Sequence, residues 1–153
     1  PERAMALVRE LGGMVRATVA PALEREVRRH RVIVTATAST APLIQAAWVA
    51  PGTHITSAGT GSPEKIELEP ALLAKANKLI ADSRRQTARY GNLHHAIAAG
   101  VLGPDRVYGE LGDLAAGRLA GREDPGEITV ADLTGVGVQD AAIAAAVVDM
   151  LGL

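Results

Sequence analysis

Three short segments of the chain combine hydroxyls with small residues. They are Thr35-Ala36-Thr37-Ala38-Ser39, Ala58-Gly59-Thr60-Gly61-Ser62 and Thr134-Gly135-Val136-Gly137. Small residues let a backbone approach a ligand closely, and hydroxyls can bond ribose or phosphate oxygens. Any one of these segments is also an ordinary turn composition. Their repetition at the ends of three strand-like runs is what points to a ligand site, because open α/β sheets bind ligands at the carboxyl ends of their strands. Lys65, just past the Gly59 loop, is a candidate phosphate or ribose contact or, equally, a solvated charge. Residues 128–140 place Gly135-x-Gly137 between a strand and a helix, as a dinucleotide fingerprint does. The third glycine position is Asp140, so the segment reads instead as a ligand-facing turn. Asp140 then lies in the first turn of a helix, where its charge suits the dipole.

Other chemistries find less support. There is no cysteine, which removes disulfides, thiolate metal sites and thiol nucleophiles together. His94 and His95 are adjacent, so on a helix they point about 100° apart and cannot share one metal ion. They read as packing or surface residues, His30 as a cation at a helix end, and His54 as a strand residue. No metal site is expected. No Gly-x-Ser-x-Gly elbow is present, and GTGSPEK lacks the length and the ending of a phosphate-binding loop. The only aromatics are Trp48, Tyr90 and Tyr108, too few for a base-stacking platform.

The chain has 153 residues, enough for one compact domain. Lys+Arg is 16 and Asp+Glu is 17, giving a net charge of −1. That balance argues against a nucleic-acid partner. Hydrophobic residues make up 48%, yet no apolar run reaches the roughly 20 residues needed to span a bilayer. No membrane partner is expected, and a cytoplasmic location fits. With no Phe, the core must come from Ala, Val, Leu and Ile.

Helices are expected over 1–11, 22–30, 70–77, 84–90, 92–99, 110–117 and 138–151. Strands are expected over 14–19, 31–38, 53–58, 78–83 and 128–133, with a polar loop over 121–127. Pro1 suits a first helical position and Gly12-Gly13 a helix stop. The 31–38 run is apolar without strict alternation, the pattern of a strand buried on both faces of a parallel sheet. Helices alternating with such strands give an α/β fold. The chain opens mid-pattern at Pro1, which reads as a piece of a longer protein.

In order along essentially all 153 residues, several stretches resemble the ornithine cyclodeaminase/mu-crystallin family. They are Val34-Thr35-Ala36-Thr37, Pro51-Gly52-Thr53-His54-Ile55 with Gly59, Lys65-Ile66-Glu67-Leu68, Ala81-Asp82-Ser83, Glu110-Leu111-Gly112 with Ala116-Gly117-Arg118, and Ile128-Thr129-Val130. Leu93 to Gly100 and Asp132 to Asp140 look most like its ectoine-utilisation branch. The resemblance implies a Rossmann-type, doubly wound nucleotide-binding domain, here partial and lacking its first two strands. Residues 1–127 would be that NAD(P) domain, and 128–153 a strand and helix returning toward a substrate and dimerisation domain. Members cyclodeaminate ornithine, reduce cyclic ketimines or dehydrogenate alanine, and all pass a hydride between nicotinamide and substrate. The cofactor would be NAD or NADP, the substrate a small amino or imino acid, and the parent a homodimer. Thr37 falls where the family contacts the cofactor. Ala58, Gly59, Thr60 and Gly61 fall on the loop beside the nicotinamide. Lys65 and Leu133 match further cofactor contacts, and Thr134 a substrate contact.

Two departures from the family pattern matter. Cyclodeaminases carry a catalytic Asp on the loop where this chain has Gly61, which can neither transfer a proton nor pair with an amine. The catalytic acid or base is therefore not identified, and ketimine reduction is less affected than cyclodeamination. The glycine-rich pyrophosphate loop and two strands would precede Pro1. Without them the 31–38 strand becomes an exposed edge and the 14–19 strand has no neighbour. Two other readings follow: a non-catalytic, crystallin-like NAD(P)-binding protein, or a truncated chain inactive alone.

Overall fold

The computed structural model describes residues 2–12 and 14–152. The expected roles of Pro1 and Gly13 lie outside the described residues. Helix α1 spans Glu2–Glu10 and α2 Leu23–Arg29. Strand β1 (Val32–Thr35) is followed by β2 (Thr40–Ile44), β3 (His54–Ser57) and β4 (Ile66–Leu68). Then come α3 (Pro70–Lys75), β5 (Lys78–Ala81), α4 (Arg84–Thr87) and α5 (Gly91–Ala98). Strand β6 (Gly109–Glu110), α6 (Leu111–Ala115), β7 (Thr129–Asp132) and α7 (Gly137–Leu151) complete the chain.

Five strands form one parallel sheet in the order β1-β3-β7-β5-β6. Because all run the same way, their carboxyl ends line one rim, and the three small-hydroxyl segments follow three adjacent strands. Strand β3 shows why one face is core: Ile55 and Ser57 are buried, while His54 and Thr56 alternate to the other side. The core joins Ile55, Leu79 and Val130 of the sheet to Leu72 and Leu73 of α3, Leu93 and Ala96 of α5, and Val27 of α2. The opposite face carries a groove of about 670 Å³ lined by Val32, His54, Lys78, Ile80, Leu111 and Arg122, among others.

Two expectations are corrected. Residues 14–19 form no strand, although Val15 and Val19 are β-branched. A strand needs a partner for its ladder, and none of the described strands lies beside this segment. Strand β1 covers only 32–35, and it is not buried on both faces: Val32 and Val34 are 68% and 67% exposed. It forms one outer edge of the described sheet. A second parallel sheet, β2 with β4, was not foreseen. Pro42 interrupts β2, and β4 is three residues long, so neither shows a strand period. Strand β7 pairs with β3 on one side and β5 on the other, in register from Thr129 to Asp132. Helix α7 follows β7, and none of its residues is buried.

Candidate functional site

The loops after β1, β3 and β7 come together on the rim. The close approaches are visible at the glycines. A Cβ on Gly59 would overlap the backbone of Thr37 and the Glu67 carboxylate, and one on Gly61 would sit 3.4 Å from the Thr134 carbonyl oxygen. Thr37, Ala58, Gly59, Gly61 and Thr134 therefore border one shared surface. Thr37, Ala58 and Gly61 are exposed there and Gly59 and Thr134 half-buried, whereas Leu133, also half-buried, lines the groove on the opposite face of the sheet. Thr60 differs from the rest. It is fully buried, and its hydroxyl donates inward to Asp132 Oδ1 at 3.4 Å, so this predicted site residue faces the core rather than the shared surface. Lys65 lies directly before β4, and its carbonyl accepts from His95 Nε2 at 3.0 Å.

Beneath this surface lies a buried polar network. Glu67, from the middle of β4, has no exposed surface. Its Oε2 accepts from Thr35 Oγ1 (2.7 Å), Ser57 Oγ (2.7 Å) and Gly59 N (3.1 Å), and its Oε1 accepts from Thr37 N (2.5 Å). Burial pushes the Glu67 carboxyl up, but the hydrogen bonds from Ser57, Thr35 and Thr37 outweigh it and hold it below the usual glutamate value. Asn92, near the start of α5, accepts from Glu67 N and Leu68 N, both at 2.8 Å. Its amide donates to Ser57 Oγ (2.8 Å) and Asp132 Oδ1 (2.7 Å). Asp132 in turn accepts from Leu93 N at 2.9 Å and Asn92 N at 3.3 Å, capping α5. Burial raises the Asp132 carboxyl, partly offset by hydrogen bonds from Leu93 and Asn92.

The 134–135 turn has its own anchor. Asp82, just past β5, accepts from Thr134 N (2.8 Å), Gly135 N (2.7 Å) and Thr134 Oγ1 (3.1 Å). Gln86 donates to Thr134 Oγ1 at 3.0 Å and to the Gly135 carbonyl. Gly135 takes a φ of +81°, a backbone state that favours glycine. The second glycine of the apparent fingerprint, Gly137, simply begins α7, with Asp140 in its first turn.

The histidines take structural places. His94 Nδ1 lies 3.2 Å from the Ala88 carbonyl oxygen, and His30 Nδ1 lies 2.8 Å from that of Glu26. His54 bridges Thr129 Oγ1 (2.8 Å) and Thr56 Oγ1 (3.1 Å) on the groove face, away from the rim loops. Among the described residues, no three His, Asp or Glu side chains gather as a metal site. No described helix is long and apolar enough to cross a membrane.

The rim loops were legible from their composition. Glu67, Asn92, Asp132, Asp82 and Gln86, which fix them, were not singled out for that role. One signal was present: Glu67 sits between Ile66 and Leu68 in a strand-length run, an odd place for a solvated acid.

Residues 1–152 match the model of the ornithine cyclodeaminase/mu-crystallin family. An uncharacterized cyclodeaminase of Sinorhizobium fredii is 47% identical over 113 residues, covering 74% of this chain and 34% of that protein. The structure superposes on an archaeal alanine dehydrogenase dimer with bound NAD at a TM-score of 0.86 and 35% identity, covering 94% of this chain and 44% of the other. It superposes on the iminosuccinate reductase of Paracoccus denitrificans in complex with NAD+ at 0.85 and 42% identity, covering 97% and 44%. The chain thus spans less than half the length of each of these proteins. With the motifs in order and a parallel sheet whose loops meet on one rim, the chain belongs to the ornithine cyclodeaminase/mu-crystallin family.

Proposed function

We propose that this chain forms part of an NAD(P)-dependent enzyme that passes a hydride to or from a carbon of a small amino or cyclic imino acid. The observation that carries the reading is the meeting of three loops at the carboxyl ends of adjacent parallel strands. They are pinned from beneath by Glu67 and Asp82. The residues fit a flat, polar ring system. Gly59 lets the loop after β3 lie close against the loop after β1, and the exposed Ala58 and Gly61 keep the surface low. When bound, the nicotinamide supplies or accepts the hydride. Thr37 and the Ala58–Gly61 backbone would border it, with Lys65 and Leu133 as further cofactor contacts and Thr134 toward the substrate. The relatives with NAD bound support a nicotinamide cofactor, and NADH and NADPH are both to be tried. Helix α7, leaving the sheet with its apolar residues exposed, would lead to the substrate and dimerisation part of a homodimeric parent.

Reduction of an imine fits this chain better than cyclodeamination. Gly61 offers no proton-transfer group. The nearest acid on that loop, Glu64, is fully exposed, and hydrogen bonds from its own backbone and from Ser62 hold its carboxyl below the usual range. It is therefore ionised near neutral pH, so the proton that joins the imine nitrogen as the hydride joins its carbon would arrive with the protonated iminium form of the substrate or from solvent. Iminosuccinate reductase is the name carried by one of the similar proteins. The reading is tested by following NADH and NADPH absorbance with iminosuccinate and Δ1-pyrroline-2-carboxylate as oxidants. Oxidation of either cofactor that depends on the imine supports it. Nicotinamide binding without turnover of any imine or diamino acid would favour the non-catalytic reading, to which Gly61 also lends weight.

A further inference from the structure

We propose that Glu67 is a positioning residue for the nicotinamide end of this site, one carboxylate that sets the spacing between the loop after β1 and the loop after β3. The inference rests on the reading above, which places that end of the cofactor against Thr37 and Gly59.

The geometry leaves few other residues able to do this. All four partners of the Glu67 carboxylate are donors: two hydroxyls, Thr35 and Ser57, and two backbone amides, Thr37 and Gly59. The hydroxyls can rotate to donate or accept, but the amides can only donate. The two amides belong to different loops and bond to different oxygens of the carboxylate. Only a group with acceptors on both sides can hold both at once. A glutamine has one oxygen and one NH2, so it can serve Thr37 N or Gly59 N but never both. An aspartate is one methylene too short to reach from the same backbone position. The carboxylate also stands in no ion pair of 4 Å or less among the described residues, so both oxygens are given to the loops.

Asn92 makes the clamp rigid. It holds Glu67 N and Leu68 N with one oxygen and ties Ser57 to Asp132 with its nitrogen. The carboxylate therefore moves with the sheet rather than with either loop. Gly59 fits the same account, because its missing Cβ is what lets the loop come within reach of both Thr37 and Glu67. A wider gap between the loops would leave the nicotinamide face loosely bordered, and a narrower one would exclude it.

The test is amide hydrogen exchange by NMR on the full chain, with NADH affinity measured on the same samples by fluorescence. In the wild-type protein, Thr37 and Gly59 amides should exchange slowly, although Thr37 is exposed and both sit in loops. In Glu67→Gln, one of the two amides should lose about tenfold in protection, the loss of one charge-assisted hydrogen bond. The sheet amides of Ile55 and Val130 should stay protected. NADH should bind about tenfold more weakly. Fast exchange of both loop amides in the wild type would overturn the inference without any variant. So would a Glu67→Gln protein with both amides still protected and unchanged NADH affinity. Loss of protection throughout the sheet, or failure of the variant to fold, would mean that Glu67 is structural only. A wild-type chain that shows the slow amides but binds no NADH would overturn the functional reading, and the positioning role would fall with it.

Discussion

Gly59 and Glu67 are fitted to each other: the Gly59 amide donates to the carboxylate at 3.1 Å, and a Cβ at Gly59 would collide with that carboxylate and with Thr37. The colliding atoms of Thr37 are backbone, which cannot rotate out of the way. Gly59→Ala should therefore push the two loops apart, at a cost of about 1–3 kcal/mol as for other overpacked sites. Urea unfolding would read that loss. NADH binding should fall further than stability does, because the displaced backbone borders the proposed site. The neighbouring Gly61→Ala should be mild by comparison, since its Cβ would lie at an ordinary 3.4 Å from Thr134.

Asn92 joins β4, β3 and β7 through one side chain, which makes it a sharp probe of the buried network. Asn92→Ala would strand the Glu67 and Leu68 amides without an acceptor and leave Asp132 with fewer donors. A buried donor left unpaired costs about 1–3 kcal/mol. The variant should lose at least that much in urea unfolding, with most of the loss recovered by no single compensating surface change. A loss well below 1 kcal/mol would mean that the network is wetter than the structure has it.

His54 makes a separate pH prediction. Burial, and then the nearby Arg122 guanidinium, lower its imidazole below the ordinary value of 6.5. The native protein keeps His54 neutral at a pH where the unfolded chain already binds a proton. Unfolding then takes up a proton, so acid favours the unfolded state. Stability from this group is complete above about pH 6.5 and falls as pH drops from there toward the lowered native value. Urea midpoints between pH 7.5 and 5 should show that slope, and His54→Gln should flatten it. An equal slope in the variant would assign the effect to other groups.

The fold was legible where burial and strand period coincide. Ile55, Leu79, Ile80 and Val130 sit in β-branched or leucine-rich runs that read as core strands, and with the 31–38 run four of the five strands of the main sheet were expected, β6 being the one missed. The order of those strands was not legible. An apolar run says that a strand is buried, not which strands flank it, and so the last strand appears mid-sheet beside β3 and β5. Residues 14–19 show the reverse case, a β-branched segment that stays irregular where no described strand runs beside it. The site divides in the same way. Thr37, Gly59 and Thr134 declare themselves by small size and hydroxyls at strand ends. Glu67 declares itself less plainly: it follows Lys65 by two residues, and only its place between Ile66 and Leu68 speaks against a solvated charge. Its burial depends on Thr35, which is 32 residues away in sequence.

If the meeting loops form part of a nicotinamide site, a thermal melt of this chain with and without millimolar NADH will show it. One cooperative transition should appear, and it should rise with NADH. At a hundredfold excess over Kd the gain is about 2.7 kcal/mol, or about 5–10 °C for a domain of this size. Glu67→Gln should show about tenfold weaker coupling to NADH in the same assay. A cooperative transition that NADH does not move, at concentrations up to several millimolar, would contradict the claim.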